Sequence, residues 1–589
     1  MRLLGEVIPS PFLTAQVAIV YVKVYSCGSY FIPVPKQAVV YKSPACRWLA
    51  EAGIPAILWK KPENPQAEAL ARGFFCKGQA MGLAAHEEGV SRDTVKNSTA
   101  PCLAVLGTAS EVGKSITTAA LCRIFANMGK RVAPFKAQNM SNNSGVTPEG
   151  GEMGRAQIVQ AEAARVSPHV DMNPILLKPS SDIGSQIVLR GEVYGNCKAR
   201  VYHKEKKFFF EAACRSLDRL RRKYDLIVME GAGSCAEVNL AAHDIVNFRM
   251  AEYADAPVIL VADIHRGGVF AQCVGTLACL PQDRQDKIMG IVINRFRGDP
   301  GLFEDGVRWI EARTGKPVLG VVPWYRNIRI EAEDSVVIEN PVDPPTPKTD
   351  ESTVAIIRLP HISNFSDFDP LFRAKDLDVS FLEKVRDLSC YSAVILPGSK
   401  NTRSDLKWLI DSGWTEALTS YRKRAGYLLG ICGGYQMMGH EIQDPEGLEG
   451  NPGTTMGLRF LPVKTTLVSP KITTRTWFCR EGAKGEGYEI HMGKSVLTGG
   501  QPLFEILSRN GRACHDSDGC VSSDGHVFGT YLHGFFDNPE ILRQWFSAIG
   551  VKRCVVDERS GLGFRDQQYE LLARHFLKHL KLDPMGIEL

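Results

Sequence analysis

The sequence lacks the features that mark several protein classes. Its 16 cysteines include no Cys-x-x-Cys pair and no cluster with histidine at zinc spacing, which argues against a structural metal site and indicates buried thiols in a reducing compartment. The most apolar stretch, Ala15 to Val22, falls well short of the roughly 18 residues that a membrane helix needs. Internal repeats are absent as well. Disulfide-framework, membrane-spanning and repeat proteins are therefore excluded.

A charge excess is also missing. The 70 Lys and Arg residues nearly balance the 65 Asp and Glu residues, leaving +5 over 589 residues, so the chain has no electrostatic footprint for nucleic acid. Hydrophobic residues make up 44%, as in ordinary globular proteins. We expect a cytoplasmic protein of two or three domains that acts on small molecules, without nucleic acid or membrane partners. A homo-oligomer is compatible with these features.

The first 98 residues form an unassigned extension. Its first 50 residues contain a single acid, Glu6, against several basic residues. Low acid content is typical of organelle transit peptides, but the Arg- and Ser-rich amphipathic pattern is missing. Organelle targeting, a small accessory domain and a misassigned start codon therefore remain equal alternatives.

From Cys102 onward, short apolar runs alternate with segments long enough for helices. This pattern predicts an α/β fold with two doubly wound parallel sheets. The first domain spans residues 99 to 338, and the second spans 354 to 589. Residues 339 to 353 contain the Pro-rich stretch NPVDPPTPKTDEST and are predicted to form an exposed linker.

A glycine-rich loop joins the first predicted strand to the first predicted helix. It begins at Gly107 and Thr108 and ends at Gly113, Lys114 and Ser115. Backbone N–H groups there can hold phosphates, Lys114 can neutralise them and Ser115 can bind Mg²⁺. Five residues separate the two glycines, one more than in the standard Walker A motif. The strand-loop-helix setting favours a nucleotide site over an ordinary turn.

Carboxylates that could share this metal ion follow later in the chain. Glu230 ends the buried run DLIVME and precedes a Gly-Ala-Gly turn, which places it at the carboxyl edge of the sheet beside the loop. Between these elements lies an amide-rich stretch with Lys136, Gln138 and Asn139, which are candidates for substrate binding, and Glu152, a candidate second metal ligand. A hydrogen-bonded surface loop is the equal alternative for this stretch.

The second domain contains a nucleophile elbow. The sequence GICGG follows a predicted strand and has the form in which a sharp turn presents a side chain, here Cys432, at the start of a helix. The N–H groups of Gly433 and of Gly398, in a second glycine turn, could form the oxyanion hole. His533 follows the last strong strand and is the candidate base.

These motifs together resemble the cobyric acid synthases, a family of glutamine-dependent amidotransferases of cobalamin synthesis. The segments GTASEVGKS, FKAQNMSNNS, EMGRAQ, MEGAGSCAEVNL, LPGSKNT, GICGGYQMMG, GYEIHMG and FGTYLHGFF carry the resemblance, which covers about residues 100 to 580. It implies a dethiobiotin-synthetase-like ATPase domain followed by a class I glutaminase domain, with Cys432 as nucleophile and His533 as base. It also implies ATP and Mg²⁺ as cofactors, glutamine and a corrinoid as substrates, and amidation of the b, d, e and g carboxylates of adenosylcobyrinic acid a,c-diamide.

One position departs from the class I pattern. Class I glutaminases generally carry a triad acid two residues after the histidine, and Phe535 occupies that place here. The resemblance therefore implies that another group orients His533 or that glutamine turnover is slow.

Three alternatives stay open from the sequence. A cobyrinic acid a,c-diamide synthase would share both domains and amidate other carboxylates. A ParA-like ATPase switch with an inactive glutaminase-like domain would perform no amidation, and the intact pair Cys432 and His533 argues against it. A stand-alone synthetase for an unrelated carboxylate is disfavoured by the attached glutaminase domain.

Overall fold

The computed structural model describes residues 99–582, with gaps at 182–183, 199–201, 203, 326, 332–351 and 560. The extension predicted for residues 1 to 98, and all but the last two residues of the predicted linker, lie outside the described residues. Within the described part of the chain, no helix combines the length and apolar character needed to span a bilayer.

The first domain contains strands β1 to β12 and helices α1 to α7. The strands are β1 Cys102–Gly107, β2 Val132–Phe135, β3 Gln138–Met140, β4 Ser144–Val146, β5 Glu152–Gly154, β6 Ile175–Ser181, β7 Gly184–Leu189, β8 Glu192–Lys198, β9 Leu226–Glu230, β10 Val258–Asp263, β11 Ile288–Phe296 and β12 Val318–Pro323. The helices are α1 Lys114–Asn127, α2 Arg155–Ala163, α3 Lys206–Lys223, α4 Phe248–Ala254, α5 Val269–Cys279, α6 Gln282–Lys287 and α7 Glu304–Thr314.

Six of these strands form one parallel sheet in the order β12-β11-β10-β1-β9-β2. Its central strands are buried at every residue, as expected for a sheet covered on both faces. The pairing places Glu230 beside Val105 and Gly107 beside Val261. The glycine loop and Glu230 therefore lie at the same carboxyl edge, where ligands bind in such sheets.

A smaller layer lies beside this sheet. Strands β3, β6, β7 and β8 form a four-stranded sheet, and β4 and β5 form a hairpin. These elements contain the amide-rich stretch that the sequence placed next to the loop.

The second domain contains strands β13 to β29 and helices α8 to α12. The strands are β13 Thr353–Ile357, β14 Ile362–Ser363, β15 Asp378–Leu382, β16 Ala393–Leu396, β17 Gly398–Ser399, β18 Tyr427–Ile431, β19 Glu441–Asp444, β20 Gly453–Met456, β21 Val463–Thr466, β22 Ile472–Arg480, β23 Ala483–His491, β24 Lys494–Leu497, β25 Phe504–Arg509, β26 Arg512–Asp518, β27 Cys520–Val521, β28 Val527–Thr530 and β29 Leu532–His533. The helices are α8 Asp369–Arg373, α9 Thr402–Asp411, α10 Trp414–Lys423, α11 Gly433–Met438 and α12 Pro539–Ala548.

Its main sheet has the order β15-β13-β16-β18-β28-β27 and is parallel except at β27. A five-stranded antiparallel sheet, β26-β25-β22-β23-β29, packs beside it. The predicted α/β class with two parallel sheets is confirmed. The antiparallel sheet is an addition that the sequence analysis did not predict.

The last described helix, α13 Gly561–His579, follows the second domain in sequence but packs on the first. Tyr569, Leu572 and Phe576 are buried in the same apolar cluster as Leu103 and Val105 of β1. Tyr569 also donates a hydrogen bond of 2.8 Å to Glu162 of α2. The core of the first domain is therefore built from two separate parts of the chain.

Candidate active sites

The glycine loop holds its shape through contacts with β10 and β11. Gly113 has a φ of 99°, and a Cβ there would lie 2.1 Å from Nδ2 of Asn294, so only glycine fits. The Asn294 amide donates to the Val112 carbonyl at 2.9 Å. Sequence reasoning missed Asn294, although its position near the carboxyl end of a buried strand is a signal for this edge of the sheet.

The start of the loop faces β10. The Thr108 N–H donates to the Val261 carbonyl at 3.0 Å, and its hydroxyl donates to Gln272 at 3.2 Å. At Gly107, a Cβ would lie 2.8 Å from Val112 and 2.9 Å from the Lys114 side chain. These two residues therefore shape the loop, whereas Gly113, Lys114 and Ser115 line the cavity in front of it.

The Glu230 carboxylate accepts hydrogen bonds from three polar side chains at the centre of this site. The Ser115 hydroxyl donates to its carboxylate at 2.8 Å, and the Lys136 ammonium donates at 2.9 Å. Gln160 of α2 also donates to it. Lys114 donates to the loop carbonyl of Ala109 at 2.9 Å. The structure thus brings the predicted loop, Glu230 and Lys136 together.

The cavity bordered by these residues has a volume of about 1470 Å³. Small-molecule sites usually enclose about 300–1,000 Å³, so this cavity has room for a nucleotide and a second large ligand. Gln138 and Asn139, the candidates for substrate binding, lie on its wall. The Gln138 side-chain oxygen Oε1 accepts a hydrogen bond of 2.6 Å from the Tyr202 hydroxyl, and the Asn139 side-chain amide donates to Gln157 at 3.0 Å.

Glu152 does not join the group around Glu230 and does not line the cavity in front of the loop, so the structure does not bring the predicted second metal ligand to this group. Its buried carboxylate accepts bonds from Lys178 at 2.7 Å, from Lys471 at 2.6 Å and from Ser144 at 2.8 Å. Burial alone would raise the pKa of Glu152, but the two ammonium groups lower it. Both carboxylate oxygens are thus committed to ammonium partners, away from the glycine loop.

The elbow at Cys432 has a strained backbone, and its thiol is buried. Cys432 adopts φ 51° and ψ −106° between β18 and α11, a conformation that non-glycine residues avoid unless the surroundings enforce it. The chain packs closely just after this turn, because a Cβ at Gly434 would lie 2.0 Å from the Leu396 carbonyl oxygen. The cysteine is therefore held at the carboxyl edge of the second sheet.

The two predicted oxyanion residues border the thiol. The α-carbon of Gly433 packs against the backbone of the 398–399 turn, since a Cβ there would lie 2.8 Å from the Ser399 nitrogen. Gly398 lies beside the base, because its Cβ position is 3.4 Å from Cε1 of His533. The turn and the elbow thus meet around one small space.

His533 is held by three contacts. Its ring stacks on Tyr488 with centroids 5.3 Å apart, and β29 pairs with β23 at this residue. Its Nδ1 lies 2.7 Å from a carboxylate oxygen of Asp367, whose other oxygen accepts from the Gly534 N–H at 2.9 Å. Both side chains are buried. With Nδ1 committed to Asp367, Nε2 is the nitrogen left to exchange a proton with the thiol.

Asp367 is a second site residue that sequence reasoning missed. It lies in the segment NFSDFD, 166 residues before His533, and no motif spacing connects the two. Burial would lower the pKa of His533, but Asp367 and the nearby Cys432 thiol raise it to about 10. The arrangement therefore favours an imidazolium beside Cys432, in which Asp367 takes the orienting role that Phe535 leaves vacant.

Comparison with known proteins agrees with this geometry. Residues 103–337 match the CobQ/CobB/MinD/ParA nucleotide binding domain, and residues 353–541 match the CobB/CobQ-like glutamine amidotransferase domain. Both sites thus lie within domains of the corresponding class. The chain is a glutamine-dependent carbon–nitrogen ligase with an ATP-binding domain.

Similar proteins from other organisms identify the family within this class. A cobyric acid synthase of Chlorobium phaeobacteroides (strain BS1) is 54% identical over 484 residues, covering 82% of this chain and 97% of that protein. Those of Chlorobaculum tepidum and Moorella thermoacetica are 53% and 44% identical, covering 82% and 83% of this chain and 97% and 98% of those proteins. The chain belongs to the cobyric acid synthase family, as its motifs predicted.

Proposed function

We propose that this enzyme amidates the b, d, e and g carboxylates of adenosylcobyrinic acid a,c-diamide, using ATP and glutamine, to give adenosylcobyric acid. The observation that carries the proposal is the presence of two complete sites in one chain of this family: a phosphate loop facing a large cavity, and a cysteine with an oriented histidine. The names of the relatives support this substrate over that of the a,c-diamide synthase.

The first site activates the acceptor. The loop N–H groups and Lys114 bind the phosphates of ATP at the N-terminus of α1. Attack of a substrate carboxylate on the γ-phosphorus breaks the bond to the bridging oxygen, giving an acyl phosphate and ADP. Lys136, which lies 2.9 Å from Glu230, neutralises charge on the transferred group.

Ser115 and Glu230 are suitable ligands for Mg²⁺. Ser115 and Glu230 offer hydroxyl and carboxylate oxygens 2.8 Å apart at the end of the loop, and Mg²⁺ is commonly bound through one or two such protein oxygens together with phosphate oxygens. The ion would neutralise charge on the phosphates when bound.

The second site supplies the nitrogen. The Cys432 thiolate attacks the carboxamide carbon of glutamine, and the oxyanion accepts hydrogen bonds from the N–H groups of Gly433 and Gly398. The His533 imidazolium gives its Nε2 proton to the leaving nitrogen as the carbon–nitrogen bond breaks, so that NH₃ departs. His533 then takes a proton from water, which attacks the thioester and releases glutamate.

The cavity beside the loop suits a large, anionic and partly apolar acceptor. Its lining includes Arg295, Arg329 and Arg373, which can pair with peripheral carboxylates. Its rim exposes Met140 and Phe372 by 56% and 42%, apolar surface that a macrocycle can cover.

Mass spectrometry tests the proposal. The full-length protein is incubated with adenosylcobyrinic acid a,c-diamide, Mg²⁺–ATP and glutamine, and the product mass is recorded. Conversion of four carboxylates to amides supports the proposal. A product that carries no added amide, from protein that binds ATP and hydrolyses glutamine, overturns the substrate assignment.

A further inference from the structure

Three lysines lie around the small cavity that contains the Cys432 thiol, which we call the thiol pocket. Lys400 follows β17 and Lys471 precedes β22, both in the second domain, whereas Lys178 lies on β6 of the first domain. All three line the thiol pocket together with Cys432. One wall of the glutaminase site is therefore contributed by the synthetase domain.

Two of these lysines already hold a carboxylate between them. The Lys178 ammonium donates to Glu152 at 2.7 Å, and Lys471 donates to the other carboxylate oxygen at 2.6 Å. The side chains of Glu152, Lys178 and Lys471 are 1%, 3% and 6% exposed. Buried charges of this kind are tolerated because they are paired.

The third lysine has no such pairing. In the part of the chain that the structure describes, the Lys400 ammonium forms no hydrogen bond or ion pair. Burial and the neighbouring Lys471 and Lys178 lower its pKa to about 7. An anion bound beside these ammonium groups would reduce their repulsion and favour the charged form of Lys400.

The lining of the thiol pocket also includes a carboxylate. Glu449 lies on its wall, and its Oε2 accepts a hydrogen bond from the Arg403 N–H at 2.9 Å. Glutamine presents a neutral carboxamide to the thiol and carries an α-carboxylate and an α-ammonium group at its other end. A pocket with buried charges of both signs is complementary to such a zwitterion.

We propose that Lys178 and Lys400 bind the α-carboxylate of glutamine while Cys432 attacks its carboxamide. The inference rests on the proposed function, in which Cys432 hydrolyses glutamine. It makes the glutamine site a composite of both domains, because Lys178 reaches it from the synthetase domain.

The two lysines have the capacity for this bond. An ammonium group has three N–H donors, and Lys178 uses two of them, on Glu152 and on Ser144, at 2.7 Å each. The thiol pocket encloses about 40 Å³, well below the roughly 300–1,000 Å³ of small-molecule sites, so glutamine needs more space. Movement of the Lys400 side chain can provide it, because its stem is flexible and its ammonium has no described bond to break.

The test removes the same contact from the protein and from the substrate. Ammonia release is measured with L-glutamine and with L-glutamine α-amide, which lacks the α-carboxylate, in full-length wild type, Lys178→Met and Lys400→Met. With glutamine, we expect KM to rise at least about tenfold in both variants while kcat stays within about threefold. With the α-amide, the variants and wild type should differ by less than about threefold.

Two controls accompany this measurement. Lys423→Met, at an exposed lysine of the second domain, should leave both substrates unaffected. Amidation with ammonium chloride should be unchanged in every variant and shows that each one is folded. Lys178→Met leaves Glu152 with one ammonium partner, whereas Lys400→Met breaks no described ion pair and keeps the test open if the first variant folds poorly.

Thiol alkylation separates carboxylate binding from stabilisation of the thiolate. Iodoacetamide has no carboxylate, so its rate of alkylating Cys432, followed by peptide mass spectrometry, should be equal in wild type and variants. The glutamine concentration that protects Cys432 should rise about tenfold in the variants. A parallel fall in alkylation rate and kcat would show that the lysines stabilise the thiolate, and this would overturn the inference.

An unchanged KM for glutamine in either folded variant would also overturn it, as would an equal rise in KM for glutamine and for the α-amide. Failure of the proposed function gives a different pattern, because the wild type itself would then release no ammonia from glutamine.

Discussion

The two active sites differ in size and in how their parts are assembled. The phosphate-loop cavity encloses about 1470 Å³, and the residues at its centre come from elements that meet at one sheet edge. The cysteine pocket encloses about 40 Å³ and combines an elbow, a distant acid and a side chain of the other domain. The first site thus offers room for large substrates, whereas the second is small and its catalytic groups are held by contacts from distant parts of the chain.

The largest expected effect comes from a substitution in the phosphate loop, which should abolish amidation and leave glutamate formation intact. Lys114→Ala removes the ammonium that binds phosphate, so we expect amidation to fall at least about a thousandfold with glutamine and with ammonium chloride alike. Glutamate formation should persist, and product mass and glutamate assays measure both. Unchanged amidation would refute the nucleotide site.

Cys432→Ala should produce the complementary loss, confined to one nitrogen source. Without the thiol we expect glutamate formation to fall about a thousandfold or more, while amidation with ammonium chloride stays within a few-fold of wild type. Assays with the two nitrogen sources side by side measure this difference. Full amidation with glutamine in this variant would show that the cysteine site is not the donor, and loss with both sources would show that the sites are not separate.

Asp367→Asn should weaken the cysteine site by a smaller factor. The amide cannot stabilise the imidazolium, so we expect kcat for glutamine to fall about 100-fold, with ammonia-dependent amidation retained. Asp367→Glu should restore part of the activity, and the exposed Asp411→Asn should have no effect. Equal activity of Asp367→Asn and wild type would exclude the orienting role.

The pH profile sharpens this test. The groups that face His533 are Asp367, the Cys432 thiol, Tyr488 and His491. Because its folded pKa of about 10 lies above its usual value of 6.5, the charged ring adds stability that is present below about pH 6.5 and is lost as the pH rises through 10. In Asp367→Asn, we expect the alkaline limb of glutaminase kcat/KM to move to lower pH.

The smallest effect on either reaction should come from a substitution in the core of the first domain, to which α13 contributes side chains. Phe576→Ala removes a fully buried ring of α13 from the first domain, and such changes cost about 3–5 kcal/mol of unfolding free energy. Denaturant unfolding measures the loss, with Leu577→Ala, 48% exposed on the same helix, as control. Equal stability of the two variants would mean that α13 contributes little to that core.

Much of the first site was predictable because its residues follow strands of one parallel sheet. The glycine loop follows β1 and leads to Lys114 and Ser115 at the start of α1, Glu230 ends β9, and parallel strands bring such carboxyl ends together. The cysteine elbow was predictable for the same reason.

The sequence did not reveal contacts whose two partners are remote along the chain. Glu152 belongs to a polar stretch whose composition suggested a metal ligand, but in the structure it begins β5 and its carboxylate pairs with Lys471, 319 residues away. Asp367 and His533 are joined only in the folded chain. Tertiary pairing of this kind leaves no periodicity or spacing in the sequence.

Helix α13 also has a consequence for biosynthesis. The ribosome delivers the chain from its amino end, and domains generally fold as they emerge. The ATP-binding domain cannot close its core in that way, because Tyr569, Leu572 and Phe576 are translated after the entire glutaminase domain. A nascent chain therefore lacks three side chains of the core of its nucleotide-binding domain until the glutaminase domain has been made.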